Sequence, residues 1–377
     1  MKYTIVLVLL ALAACACASQ PSFLSTLHTV SVLASTVPAN GDVNPYGMFV
    51  VQQTVGNLIR GHILVSNFNN ASNLQGTGST VVQISPQGHV SLFAEITPKD
   101  LAGSCPGGIG LTTALVVLKR GWVLVGSLPT TDGSSATMRS GCIIVLDALG
   151  NVHSAATIAH GLVNGPWDSA VKDFGETALL FVTNVLNNHV AGSNDAVVNH
   201  GTVVRITLLI PYPVLTHEPG TDYPVAPHPE IVEQVLIASG IGCRGDPAAL
   251  VVGPTGLALK GSTLFVAHTL NNRVFAIVDA LTRTTTAFAG SDVSANGLLN
   301  APLGAIIAPN GNIIVANGND GKLVEISPCG QQVDFKLVDD TLAPPLAPGA
   351  GCLFGLVLAP HGIYFVDDCT NTLNLLH

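Results

Sequence analysis

The run Gly253-Pro-Thr-Gly-Leu-Ala-Leu-Lys-Gly-Ser-Thr-Leu-Phe-Val-Ala-His-Thr-Leu-Asn-Asn-Arg-Val274 reads as two short strands, two turns and the start of a third strand. A Pro-x-Gly turn opens the first strand at 257–259. Lys260-Gly261-Ser262 turns it, and 263–268 alternates β-prone residues as the second strand. Leu270-Asn271-Asn272 makes the next turn, and 273–278 is the third strand.

The unit recurs. Its second strand returns as His62-Ile-Leu-Val-Ser-Asn67, Trp122-Val-Leu-Val-Gly-Ser127, Leu179-Leu-Phe-Val-Thr-Asn184, Asn312-Ile-Ile-Val-Ala-Asn317 and Gly362-Ile-Tyr-Phe-Val-Asp367. The entry turn returns as Pro45-Tyr-Gly47, Gly108-Ile-Gly110, Pro166-Trp-Asp168, Pro302-Leu-Gly304 and Leu353-Phe-Gly355. Units lie about 50 to 84 residues apart, which fits four-stranded blades of ~40–50 residues with insertions. Outer strands are expected at 89–96, 152–159, 231–238, 284–289 and 332–338. The sixth unit stops at His377 after three strands, and the isolated strand 27–35 supplies its fourth, leaving no open edge between the chain's two ends. These residues predict an all-β, six-bladed β-propeller over 27–377. Its blades span 45–96, 108–159, 165–240, 253–290, 301–339 and 352–377 plus 27–36. A pair of β-sandwiches is the competing reading. With its Pro-x-Gly-apolar, apolar-x-Val-Ala and Asn-Asn-Arg-apolar segments, the unit at 253–274 resembles the NHL repeat. At fold level the chain resembles the TolB-like, gluconolactonase and strictosidine-synthase propellers.

The N-terminus reads as a secretory signal peptide over 1–19: Met1-Lys2, an apolar run at 3–14, then Ala16-Cys17-Ala18. Leu12-Ala13-Ala14-Cys15 also resembles a lipobox, so Cys15 would carry a lipid anchor if the source is bacterial. No later stretch is long and apolar enough for a membrane span. Charged residues make only 10% of the chain, the net charge is −9, and Lys and Arg form no cluster. Nucleic acid is therefore a poor partner. A secreted or cell-envelope monomer is expected, with a small molecule, a glycan or a protein as its ligand.

Six cysteines lie beyond the signal region. The loops entering blades and the loops after second strands share one face. Cys105 pairs with Cys142 and Cys352 with Cys369 on that basis, while Cys243 and Cys329 fall on opposite faces and do not pair with each other. Asn70-Ala71-Ser72 is an N-glycosylation sequon. Blade three carries two insertions, 187–200 with His189, Asp195 and His200, and a proline-rich 210–230 with His217, Glu218, Asp222 and His228. A metal or partner site and a proline-stiffened surface loop are the two readings of these insertions.

Two rings of side chains point at the entry mouth of the central channel. The residue before the turn glycine gives Tyr46, Ile109, Trp167, Thr255, Leu303 and Phe354, and Asp168 replaces that glycine in blade three. The ends of the second strands give Asn67, Ser127, Asn184, His268, Asn317 and Asp367. In metal-dependent members of the resembled superfamily, Asn or Asp commonly occupies some first-ring positions and holds a divalent cation. This ring departs from that pattern, so no metal and no cofactor is expected. Tyr46, Trp167 and Phe354 could stack on a ligand, with Asn67, Asn184, Asn317 and Asp367 supplying hydrogen bonds. The same aromatics could instead plug the channel, and the same amides could simply set turns. Asp168 and His268 are the candidate catalytic residues; Thr113 and Ser169 lie near the mouth without a visible base. An exported binding propeller is the leading reading. A hydrolase or lyase on the same face, and a structural extracellular protein, are the alternatives.

Overall fold

In a computed structural model of the chain, residues 21–185, 196–213, 227–247, 249–342 and 344–377 are described. The expected signal peptide lies outside them, as do His189, Asp195, His217, Glu218 and Asp222. Six antiparallel sheets form a ring, and the fold is a six-bladed β-propeller. Blade one holds Val43–Val50, Ile63–Asn69, Thr80–Ile84 and Val90–Glu95, in that order from the axis outward. The second strands, such as Ile63–Asn69, Ile313–Asn317 and Gly362–Asp367, are buried along their whole length. Neighbouring blades cover both of their faces, which is why these strands read as Val/Ile/Leu runs rather than as alternation. Apolar clusters fill the seams between blades; Leu64 and Val81 of blade one meet Leu115, Val125 and Ile144 of blade two. Each such side chain contributes roughly 1.5–3 kcal/mol by leaving water.

The ring closes as expected. Val30–Ser35 pairs antiparallel with Thr372–Leu376, with Val30 opposite Leu376. A buried carboxylate tethers the segment just before this strand. Glu325, on the third strand of blade five, accepts from the Phe23 and Leu24 N–H groups at 3.0 and 2.8 Å and from Ser22 Oγ at 2.8 Å. Asn310 and Asn312 amides also donate to it, each at 2.7 Å. Leu24 packs beside Ile314, Leu353, Phe365 and Leu376, so the front of the chain bridges blades five and six.

Three expectations need correction. Blade two has three strands, Leu111–Val117, Val123–Ser127 and Cys142–Leu146. Asp147 accepts from the Leu149 and Asn151 N–H groups, Ser154–Ala156 then coils into a 3-10 turn, and 152–159 touches the sheet only at the bridges Leu146–Val152 and Ile143–Ile158. The outer strand of blade four is Ser291–Ala295, not 284–289. Ala289 and Gly290 take positive φ (54° and 66°), which ends the first extended run, and Ala287–Phe288 pairs parallel with blade three instead. The Pro-x-Gly segments are not turns; they lie inside the innermost strands, as in Pro254–Lys260.

Disulfides join Cys105 to Cys142 and Cys352 to Cys369, with Cα atoms 5.5 and 4.9 Å apart. Cys329 is also disulfide-bonded. The buried Cys243 thiol donates to the Val198 carbonyl. Among the described residues, no helix is long and apolar enough to cross a membrane.

Candidate functional site

Each innermost strand starts opposite the end of a second strand: Pro45 faces Asn67, Leu111 faces Ser127, Pro166 faces Asn184, Pro254 faces His268, Pro302 faces Asn317 and Leu353 faces Asp367. The register then slips in every blade, a bulge that bends the strand beside the axis. This register puts Thr112, not Ile109, in the first ring. Gly108-Ile-Gly110 precedes the strand: the Ser127 hydroxyl donates to the Gly108 carbonyl and accepts from the Gly110 N–H, both at 3.0 Å. Ile109 packs in the seam between blades one and two.

The next position is glycine in four blades because the backbones meet there. A Cβ added at Gly256, Gly304 or Gly355 would fall far inside van der Waals contact of the carbonyl oxygen of Leu303, Phe354 or Tyr46 on the following blade. Blades two and three carry Thr113 and Asp168 at this level instead, so among the described residues polar side chains reach the chamber from that side.

The entry mouth is closed. Tyr46, Trp167 and Phe354 are 2%, 4% and 3% exposed. Tyr46 stacks on Phe354 at 3.9 Å and on Phe68 at 4.5 Å between ring centroids, with Trp167 at 6.5 Å. Leu250 and Val251 pack onto this cluster, joined by Leu128 and Met138 from blade two. Leu250–Val252 pairs back on the end of the 17-residue strand Glu230–Asp246, making a hairpin over the mouth. The aromatic ring is thus packed core under a cap rather than an open cleft. A 210 Å³ recess beside the cap reaches Leu303 and Phe354, with Arg244 and Asp246 paired on its wall.

The second ring is occupied with its own backbone. Asn67 donates to the Thr36 carbonyl and Asn184 to that of Leu162, while the Asn184 oxygen accepts from the Asn164 and Gly165 N–H groups. Asn317 donates to the Leu298 carbonyl and accepts from Asn300 N–H; Asp367 accepts from Thr370 N–H. Asp367 bonds within its own turn, while the three asparagines tie the strand ends to segments 17 to 31 residues away. His268 is engaged at both ring nitrogens. Arg273 Nε donates to Nδ1 at 3.1 Å, so the proton sits on Nε2, which donates to the Gly242 carbonyl at 2.7 Å. Burial, reinforced by Arg273, lowers its pKa to about 4. The imidazole is neutral, has no lone pair to spare, and does not line the channel.

Below the glycine level the channel opens into a chamber of about 320 Å³. Met48, Leu115, Leu257, Ala305 and Leu356 form its apolar wall, and half-buried Val171, Leu259, Ile307 and Leu358 line it toward the far face. Thr113, Asp168 and Ser169 supply the polar side. Asp168 is 8% exposed; its Oδ2 accepts from the Leu257 N–H at 2.8 Å, tying blade three to blade four. Burial pushes its carboxyl up to about 7, against the pull of that hydrogen bond. Thr113 Oγ1 and Ser169 Oγ are buried and make no hydrogen bond among the described residues.

No protein-family model and no curated protein sequence matches the chain. Solved structures do. A gluconolactonase from Xanthomonas campestris superposes with a TM-score of 0.50 at 12% identity, covering 92% of this chain and 88% of that one. A luciferin-regenerating enzyme gives a TM-score of 0.50 at 12% identity, covering 92% and 94%. At this identity the likeness is one of fold.

A hard divalent cation does not suit the axis. The first ring is Tyr46, Thr112, Trp167, Thr255, Leu303 and Phe354, and the chamber adds one carboxyl drawn toward its neutral form and two hydroxyls, where such a cation takes six or more oxygens. The buried carboxyl has a readable consequence. Between pH 4 and pH 7 the unfolded Asp168 has lost its proton and the folded one keeps it, so this group makes stability fall as pH rises. Asp168→Asn keeps an acceptor for Leu257 and removes the penalty. The variant is expected to gain up to about 4 kcal/mol over wild type at pH 8 and little at pH 4. Urea titrations at both values read this; a gain independent of pH would contradict it.

Proposed function

We propose that the protein is an exported propeller that binds a small amphipathic molecule in its central chamber, entered from the face opposite the blade-entry loops. One observation carries the reading: Thr113, Asp168 and Ser169 converge from two adjacent blades, the hydroxyls without protein partners, facing walls that are otherwise aliphatic. Such a chamber holds a ligand with one hydrogen-bonding end and an apolar body, and its volume lies at the lower end of small-molecule sites. At neutral pH Asp168 can donate or accept, which suits a hydroxyl or carbonyl. Export is supported by the N-terminal apolar run and by disulfides, which persist in non-reducing compartments. Asn70, in the loop after Ile63–Asn69, is the glycan acceptor in a eukaryotic host. The intact mass of protein collected outside the cell checks both leader removal and the glycan.

A hydrolase or lyase is the second reading, favoured by the same carboxyl: a pKa near 7 in a mostly apolar cavity suits general acid–base work. A thermal-shift screen of lactones, medium-chain alcohols and acids, and short glycans against the full chain separates these readings. Lactones, alcohols or acids are expected to raise Tm by about 2–4 °C. That rise should vanish in Ala305→Phe, which fills the chamber, and shrink in Thr113→Val. Turnover of a lactone that Asp168→Asn abolishes would assign the enzyme. Stabilisation that survives Ala305→Phe, or by glycans alone, would sink the chamber as the site.

A further inference from the structure

The chain leaves the outer strand of blade five, Gln332–Leu337, and passes Asp339 on its way to blade six. Asp367 ends the second strand of blade six, and Asp368 follows it. A carboxylate oxygen of Asp339 and one of Asp367 lie within 4.8 Å of each other and of the sulfurs of the Cys352–Cys369 disulfide. Both aspartates are buried, at 8% and 7% exposure. Asp339 Oδ1 accepts from Thr341 N–H at 2.8 Å and Asp367 Oδ1 from Thr370 N–H at 3.1 Å. Asp339 Oδ2 is buried and has no hydrogen-bond donor among the described residues.

Two buried carboxylates this close need a positive charge or a shared proton. Among the described residues no ion pair includes Asp339, Asp367 or Asp368, and the Lys322 ammonium is held by Asp320 at 3.1 Å. Asp368 does not neutralise the pair; it adds a third carboxylate, to which the Asn44 amide, turned to satisfy its neighbours, donates at 2.8 Å. The two sulfurs are bonded to each other, so only oxygen is on offer. Oxygen-only donors of irregular geometry suit a hard cation, calcium above zinc.

We propose that Asp339 and Asp367 hold a divalent cation of the calcium type on the entry face between blades five and six, with water and backbone carbonyls completing its shell. The site is separate from the central chamber and does not rest on that reading. The disulfide ties Cys369, in the loop after Asp367, to Cys352, and its sulfurs lie beside the Asp339 carboxylate, so the two carboxylates are close without the ion.

The full chain is stripped with EDTA and titrated with CaCl₂ at pH 7.5, read by equilibrium dialysis and by thermal shift. One calcium per chain and a saturable rise in Tm are expected. Asp339→Asn should weaken binding at least tenfold, and Asp168→Asn should leave it unchanged. If Asp339→Asn does not fold, Asp367→Asn is measured instead. No bound calcium, with Asp339→Asn more stable than wild type at neutral pH, would overturn the proposal in favour of a shared proton. Zinc binding that appears only after reduction would overturn it too, by assigning the ligands to the thiols.

Discussion

Glu325→Ala is expected to lower the stability of the propeller by at least about 3 kcal/mol, because one buried carboxylate satisfies five donors. Two of those are the backbone N–H groups of Phe23 and Leu24, and with the carboxylate gone they and the Asn310 and Asn312 amides lose their acceptor. The effect should concentrate at the seam where the ring closes, loosening Leu24 and then the strand Val30–Ser35. Hydrogen exchange should show the Val30–Ser35 amides losing protection before those of blade two. The pH dependence has a sign of its own. Burial would raise the Glu325 pKa, but the donors from Leu24, Asn310, Phe23 and Asn312 outweigh it and hold the carboxyl below its usual value. Its contribution is therefore present above about pH 4.5 and lost as pH falls through the folded value. Glu325→Gln should show a shallower acid limb than wild type. A loss under 1 kcal/mol with unchanged exchange at Val30–Ser35 would mean that the tether does not hold the closure.

The second large effect is expected at the axis. Gly304→Ala places a methyl group against the Phe354 carbonyl, with the Leu356 nitrogen 3.2 Å away, and both belong to the backbone of the next inner strand. A side chain could swing aside; a strand paired along its length cannot. A loss of about 3 kcal/mol is expected, at the upper end of ordinary overpacking, or no folded protein. Gly242→Ala is the matched control. An alanine Cβ there meets Leu270, Asn199 and Val197 side chains at 3.4–3.5 Å, ordinary contact, and its cost should stay below about 1 kcal/mol. Equal denaturation midpoints for the two variants would show that the inner strands are not packed to contact.

Gly304 sits in a recurring Pro-x-Gly, so its repetition was visible, but the cause was not. It is not a turn that requires glycine there; it is the carbonyl of another blade, about fifty residues further along the chain. Blade two shows the opposite failure. Gly108-Ile-Gly110 imitates the repeat, yet Leu111 is the residue that faces Ser127, so Thr112 falls in the ring, and where the pairing opens leaves no mark in the local sequence. The repeat places Thr113 and Ser169 near the mouth. That they share a chamber with Asp168, on the far side of an aromatic plug, depended on that register. Glu325 carried no signal at all: it looks like an ordinary exposed strand position, and its partners Phe23 and Leu24 lie about 300 residues away.

Six recurring Val/Ile/Leu strands, the Pro-x-Gly pattern, a lone strand at 27–35 and cysteines placed on one face were enough to determine the ring, its closure and two of its disulfides. Those features depend on local periodicity and chain order, which a sequence displays directly. The tertiary structure alone decided which end of the channel is open. A strand seventeen residues long carried its hairpin over the aromatic mouth, and the bulges, two extra residues in blade two and one in blade three, aimed Thr113, Asp168 and Ser169 inward below it. Burial and hydrogen-bond partnership are set by whatever segments meet in space, and here these come from different blades.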